Sequence, residues 1–162
     1  MELLREREDV DPNRPGKYDQ TPLRNAAVKG HAGVVKLLPG QEEVNPNRPD
    51  KNDLTPPGCA AVERHEEVVE LLLEREDVDP NRPDKHDQTP LWWAVGGSEG
   101  MVKSFLGPEG VGPSASGRHG GTPLPHAAMR GHGGVVELLQ PRMSVGSADA
   151  QRLTRYKGSR MR

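Results

Sequence analysis

The sequence predicts an all-α repeat solenoid of about four units, and an internal repeat is the main evidence for it. Residues 6–23 are identical to residues 74–91 at 16 of 18 positions. A Thr-Pro dipeptide, followed by Leu in three of four cases, opens the units with spacings of 34, 34 and 33 residues, at Thr21, Thr55, Thr89 and Thr122. Because periods of this length mark stacked supersecondary units, we expect one element repeated along the chain instead of a single large core.

Each unit is expected to contain two short helices joined by a tight link. In the first unit Thr21 is the expected N-cap, and a proline follows at the first helical position, where its missing N–H costs no hydrogen bond. The first helix is expected to end at Gly30, and apolar residues at i, i+3, i+4 spacing in residues 34–38 indicate a second helix. Residues 44–50, rich in Pro, Asn and Asp, predict a turn between units.

The repeat also predicts how the chain is organised. Residues 1–20 hold a partial N-terminal unit and the first loop. The four units have the expected bounds 21–54, 55–88, 89–121 and 122–141. Residues 142–162 carry six basic residues against one acid and lack apolar periodicity, so we expect a disordered basic tail.

Composition excludes several classes of protein. No apolar run approaches the ~20 residues of a transmembrane helix. The first residues lack a signal-peptide core, so an intracellular location is expected, with the cytoplasm favoured over the nucleus. The single cysteine, Cys59, excludes a disulfide framework and a cysteine-based zinc site.

Three local matches to chemical motifs lack the residues that the chemistry needs. Residues 96–100 fit the Gly-x-Ser-x-Gly pattern of hydrolases, but they lie between two predicted helices instead of after a strand. His65 begins a zinc-protease-like pattern without the second histidine four residues on. Asp9 and Asp77 begin runs with calcium-loop spacing in which the turn glycine and the bidentate glutamate are missing. We therefore expect no enzyme activity, no cofactor and no bound metal.

The repeated motifs resemble those of the ankyrin repeat. An Ala-Ala pair, a Gly-His link and a Val-Val-x-Leu-Leu run recur in phase with the Thr-Pro-Leu opening. The pair lies at 26–27, 60–61 and 127–128, the link at 30–31 and 131–132, and the run at 34–38, 68–72 and 135–139. The resemblance covers residues 2–140 and implies stacked helix pairs with projecting hairpin-like loops, acting as a non-catalytic module that binds another protein. The sequence of the loops also resembles that of arrays attached to large fungal NACHT- or NB-ARC-type signalling proteins.

Several residues depart from the ankyrin pattern. The family's histidine after Thr-Pro-Leu is replaced by Arg24, Gly58, Trp92 and Pro125. Aspartate stands where the family has a glycine with positive φ, at Asp19, Asp53 and Asp87. The third unit fits best with one residue deleted before Gly96, and Ser104 replaces a core leucine. These departures, with no capping helix before the first unit, leave an alternative: a marginally folded fragment of a longer array with no independent partner.

The resemblance implies that a partner binds the concave surface, formed by the loop tips and the exposed side of each first helix. At the loop tips the corresponding residues are Lys17, Tyr18, Gln20, Lys51, Asn52, Leu54, Lys85, His86, Gln88, Arg118 and His119. On the first helices they are Lys29, Glu63, Met129 and Arg130. We add Trp92 because tryptophan is enriched at binding hot spots, whereas Trp93 is expected in the core.

Basic residues recur at the loop tips, where Arg14, Arg48 and Arg82 accompany the lysines at repeat spacing. Such a row favours another protein with an acidic face as the partner, because complementary charge accelerates association. The alternative for this face is a solvated charged surface without a partner. Nucleic acid is not favoured because the basic residues of the tail are scattered, and no membrane or small-molecule partner is expected.

Overall fold

The computed structural model describes residues 11–16, 20–38, 44–107 and 122–140. In these ranges the chain forms eight α-helices and no strand. The helices are α1 (Pro22–Lys29), α2 (Ala32–Leu37), α3 (Pro56–Val62), α4 (Glu66–Leu73), α5 (Pro90–Ala94), α6 (Glu99–Phe105), α7 (Pro123–Arg130) and α8 (Gly133–Leu139). The prediction of an all-α fold with about four helix pairs is confirmed.

The helices form two series that run along the stack. Each first helix (α1, α3, α5, α7) contacts the next first helix, and each second helix (α2, α4, α6, α8) contacts the next second helix. Within each unit the two helices also contact one another. One cluster of buried apolar side chains runs through all four units, from Leu23 in α1 to Leu139 in α8. Each unit therefore buries its apolar face against its neighbours, as a repeat array requires.

Each first helix has a threonine at its N-cap, but only two of the four threonine hydroxyl groups make a capping hydrogen bond. Thr21 and Thr89 each accept the backbone N–H three residues on, as expected for an N-cap. At Thr122 the residue three positions on is Pro125, which has no N–H to donate. The buried hydroxyls of Thr55 and Thr122 both lack a hydrogen-bond partner. Prolines in the first helical turn therefore allow α7 to form and still remove its cap.

The links between paired helices use a left-handed residue in three units. Gly30 (φ 68°) and Gly131 (φ 76°) end α1 and α7, and Arg64 (φ 64°) takes the same conformation after α3. The third unit has no residue with positive φ in the link between α5 and α6, and α5 is only five residues long. The shortened helix agrees with the expected deletion before Gly96.

Matching turns connect the second unit to the first and the third unit to the second. Asp50 and Asp84 each accept two backbone N–H bonds from the residues two and four positions on, at 2.8 to 3.2 Å. Asp53 (φ 61°) and Asp87 (φ 59°) adopt the positive φ that the ankyrin resemblance implied. The equivalent Asp19 lies outside the described residues.

Candidate functional site

Asparagine side chains join each loop to the next. The Oδ1 atom of Asn13 accepts the backbone N–H of Asn45 at 2.8 Å, and that of Asn47 accepts the N–H of Asp79 at 2.7 Å. The two bonds are the same contact repeated one unit later. They fix the position of each loop relative to its neighbour and therefore the spacing of the loop tips.

Arginines of the same segments bond back to the preceding loop. Arg48 donates to the carbonyl oxygen of Asn13 at 3.1 Å, and Arg82 donates to that of Asn47 at 3.4 Å. Both arginines belong to the basic row predicted for a partner, and their guanidinium groups also connect successive loops.

The described loop-tip residues lie at the turns that precede α3 and α5, except for Gln20, which precedes α1. Lys51, Lys85 and His86 are exposed, and Asn52 is half-buried. The Nζ atom of Lys85 donates to Oδ1 of Asn52 at 2.7 Å, which ties the second turn to the first. Gln20, Leu54 and Gln88 are half-buried. Lys17, Tyr18, Arg118 and His119 lie outside the described residues.

The predicted residues on the first helices lie near the C-terminal ends of those helices. Lys29 ends α1, Glu63 follows α3, and Met129 and Arg130 end α7. All four are exposed. The described part of the candidate surface therefore runs from the turns at one edge to the C-terminal ends of the first helices.

The two tryptophans have different surroundings. The Nε1 atom of Trp93 donates to Oδ2 of Asp84 at 3.2 Å, and its ring packs against the core. Trp92 lies edge-on to Trp93, with ring centroids 4.8 Å apart and planes at 83°. Its other contact is with His126 of α7, at a centroid distance of 4.2 Å and a tilt of 33°. Trp92 therefore joins the third unit to the fourth.

His126 is a contact residue that the sequence analysis did not select. It stands four residues after the threonine that opens its unit, where the preceding unit has Trp93, yet its ring contacts Trp92. The repeat register gave no signal for this contact, because it joins non-equivalent positions of the two units. Partial burial lowers the pKa of His126, and the neighbouring Arg130 and His132 lower it further, so the ring facing Trp92 is neutral near pH 7.

A buried ion pair links the first unit to the turn before the second. Arg24 of α1 and the carboxylate of Asp50 are 3.0 Å apart, and both side chains are largely buried. Cys59 of α3 lies close to this pair, and burial raises the pKa of its thiol to about 11. A thiol in this state is not a reactive nucleophile.

Residues of the rejected chemical motifs have structural roles here. Ser98 caps α6 by accepting the N–H of Met101 at 3.1 Å, and it also bonds to Glu66 of the preceding unit. His65 precedes α4, and its Nε2 atom is 3.0 Å from the carbonyl oxygen of Val28. Among the described residues no group of three or more His, Cys, Asp or Glu side chains is placed to hold a metal ion. The helices of the same ranges are too short or too polar to cross a membrane.

Comparison with known proteins assigns the family. A family model described as ankyrin repeats (3 copies) matches residues 1–84 and 23–115. A search of curated proteins found no match to the chain. The fourth unit lies beyond the two matches, yet α7 and α8 repeat the helix pair and the left-handed glycine of the first unit. The chain therefore belongs to the ankyrin-repeat family, whose members are generally protein–protein interaction modules and typically non-catalytic.

Proposed function

We propose that this chain is a non-catalytic module that binds an acidic face of another protein on its concave surface. The observation that carries the proposal is the exposure of Lys51 and Lys85 at the same place in successive turns. Asp50 and Asp84 fix the backbone of these turns, and the asparagine bonds fix the distance between them. Fixed turns keep the two lysines at a constant spacing, which supports recognition of matching carboxylates.

The other charges nearby refine the expected partner. Glu63 lies exposed after α3, so carboxylates of the partner are expected to face the turns and not that end of the helix. Exposed ion pairs each contribute only about 0–1 kcal/mol, so the basic row contributes mainly to the association rate and to specificity. We therefore expect binding to weaken as salt concentration rises.

A charge reversal tests this surface. The full chain is used to select binders from a display library of small proteins, and affinities are measured for Lys51→Glu/Lys85→Glu. The double variant is expected to bind at least ~10-fold more weakly, because two like charges then face the acidic partner. Its thermal unfolding is expected to stay close to that of the wild type, because the lost bond from Lys85 to Asn52 is exposed and contributes only about 1 kcal/mol or less.

The matched control reverses two exposed lysines on second helices, Lys36→Glu/Lys103→Glu, and is expected to retain affinity. Lys36 pairs with Glu67 at 3.1 Å, and because both side chains are exposed its reversal costs only about 1 kcal/mol of stability or less. Equal loss in the two double variants contradicts the proposed surface, since it reports net charge alone.

A second candidate is a marginally folded array without an independent partner. The exposure of Val34 and Leu37 on α2 favours it, because these positions are apolar and uncovered. Far-UV circular dichroism during a thermal melt separates the two candidates. One cooperative transition supports the interaction module, and a weak, gradual change supports the marginal array.

We also propose that the module acts inside the cell, in a recognition role within signalling. The single, buried Cys59 is consistent with a reducing compartment. The loop sequences resemble those of arrays attached to fungal NACHT- or NB-ARC-type proteins, and this resemblance supports the role in signalling. Fractionation of the native cell, followed by detection of the chain, tests the location.

A further inference from the structure

Two half-buried rings and one exposed methionine of the last two units define a small patch. This patch, called the aromatic patch below, consists of Trp92, His126 and Met129. Trp92 stacks on His126 at 4.2 Å, and Met129 follows His126 by three residues on α7, which puts the two on one helix face. Met129 is 61% exposed, more than the other exposed large apolar residues of the described ranges.

The earlier units use the same positions for internal contacts. Arg24 stands where Trp92 stands and pairs with Asp50, and Cys59 stands where His126 stands and is buried. Among the described residues, the rings of Trp92 and His126 contact each other, with centroids 4.2 Å apart. At the last boundary two rings therefore stand where earlier units have the arginine of an ion pair and a buried thiol, and these rings also join the third unit to the fourth.

The patch is held in place before any partner arrives. The bond from Trp93 to Asp84 fixes the Trp93 ring, and Trp92 packs against that ring in a T-shaped pair. A fixed pair of aromatic rings loses little side-chain entropy on binding, which is the property of a hot spot.

The patch has a cationic neighbour. Arg130 is exposed at the end of α7, one residue after Met129. An apolar surface beside a guanidinium group suits a peptide that offers an apolar side chain next to carboxylates.

We propose that the aromatic patch anchors one large apolar side chain of an acidic peptide segment in the partner, with Arg130 binding a flanking carboxylate. This inference rests on the proposed function, since it identifies which part of the concave surface provides the specific contact. The lysine row attracts the acidic segment, and the patch selects the apolar residue within it.

The experiment selects random twelve-residue peptides, displayed on phage, on the immobilised full chain. The selected peptides are expected to be acidic and to share one Phe, Trp, Leu or Met. Changing that residue to Ala in a synthetic copy is expected to weaken binding at least ~10-fold, as a hot-spot contact does. Basic consensus peptides, no enriched peptides, or an apolar residue that is dispensable would each overturn the proposal.

Two variants locate the contact on the chain. Trp92→Ala and Met129→Ala are each expected to weaken the selected peptide at least ~10-fold. Met129→Ala keeps the test valid if Trp92→Ala loosens the fourth unit, because Met129 is 61% exposed and its truncation spares the core. The control Leu37→Ala truncates an exposed apolar residue on α2 and is expected to change affinity less than ~2-fold.

The same peptides separate this inference from the proposed function. Loss of binding in Lys51→Glu/Lys85→Glu with full binding in Met129→Ala overturns the patch and leaves the concave surface intact. Loss in Met129→Ala with full binding in the lysine variant supports the patch and overturns the basic row. Full binding in both variants overturns both.

Discussion

Helices α2 and α4 contain the same Val-Val-x-Leu-Leu run, yet they bury it to different extents. Val34 in α2 is 40% exposed, whereas its equivalents Val68, Met101 and Val135 are 1%, 1% and 2% exposed. Each buried equivalent has a described second helix before it in the stack, and α2 has none among the described residues. Burial in this array is therefore decided by the neighbouring unit and not by the helix itself, as expected for a quasi-one-dimensional fold.

The largest expected effect is the difference in stability between equivalent valine-to-alanine substitutions in α4 and in α2. Val68→Ala should lower the free energy of unfolding by about 2 kcal/mol, because it removes methyl groups from a fully buried site and leaves a cavity. Val34→Ala should cost about 0.5 kcal/mol or less, since that side chain is already in contact with solvent. Helix propensity changes equally in both variants and cancels from the comparison.

Urea unfolding of the two variants checks this prediction. Equal losses would mean that Val34 is covered in solution, and the contrast between α2 and α4 would then disappear. The slope of the transition must stay constant for the comparison to hold, because a changed slope reports a change in the exposed area instead.

Much of the array could be predicted from single units. The cap at Thr21 and the link at Gly30 follow from the preferences of one residue in a known local conformation, and the positive φ of Asp53 follows from the ankyrin resemblance. Local chemistry also explains the missing cap at Thr122, once the proline three residues on is considered.

Contacts between units could not be predicted in the same way. The bond from Asn45 to Asn13 and the stack of Trp92 on His126 depend on how far one unit is rotated and shifted against the next. The repeat period predicts that the units are neighbours, but it does not determine their relative rotation and shift. For the same reason the bond from Arg48 to the carbonyl oxygen of Asn13 could not be predicted from the loop sequence alone.

A smaller effect is expected where the third unit departs from the second. Ser104 replaces the leucine found at Leu71, and its position is half-buried where the sequence analysis expected a core site. Ser104 borders an open depression of about 280 Å³ that is also lined by Leu73, Glu70 and Glu74. Ser104→Leu should raise the free energy of unfolding by about 1 kcal/mol, because the added side chain covers Leu73 and fills part of this space.

A neighbouring residue on the same helix serves as the control for this gain. Lys103 is exposed, so Lys103→Leu adds similar apolar area without a place to bury it. A gain in melting temperature for Ser104→Leu alone would support the register assigned to the third unit. No gain for Ser104→Leu, or the same gain in both variants, would contradict that register.

The smallest expected effect lies at the last boundary, where Trp92 meets His126. The pKa of His126 is lowered in the folded chain, first by burial and then by Arg130 and His132. The unfolded chain, with a histidine pKa near 6.5, therefore binds a proton more readily, and His126 favours unfolding as the pH falls below about 6.5. Its contribution to stability is complete above that pH and is lost between the unfolded and the folded pKa.

Unfolding midpoints at pH 7.5 and pH 5.5, for the wild type and His126→Gln, measure this contribution. The wild type should lose more stability than the variant between the two values, while the carboxylates stay ionised. An imidazolium ion over the Trp92 ring would instead gain a cation–π contact, which raises the pKa. The opposite result, in which the wild type loses less stability than His126→Gln, would contradict the lowered pKa. It would show that the cation–π contact with Trp92 stabilises the protonated ring, so that the contact between the third and fourth units strengthens as the pH falls.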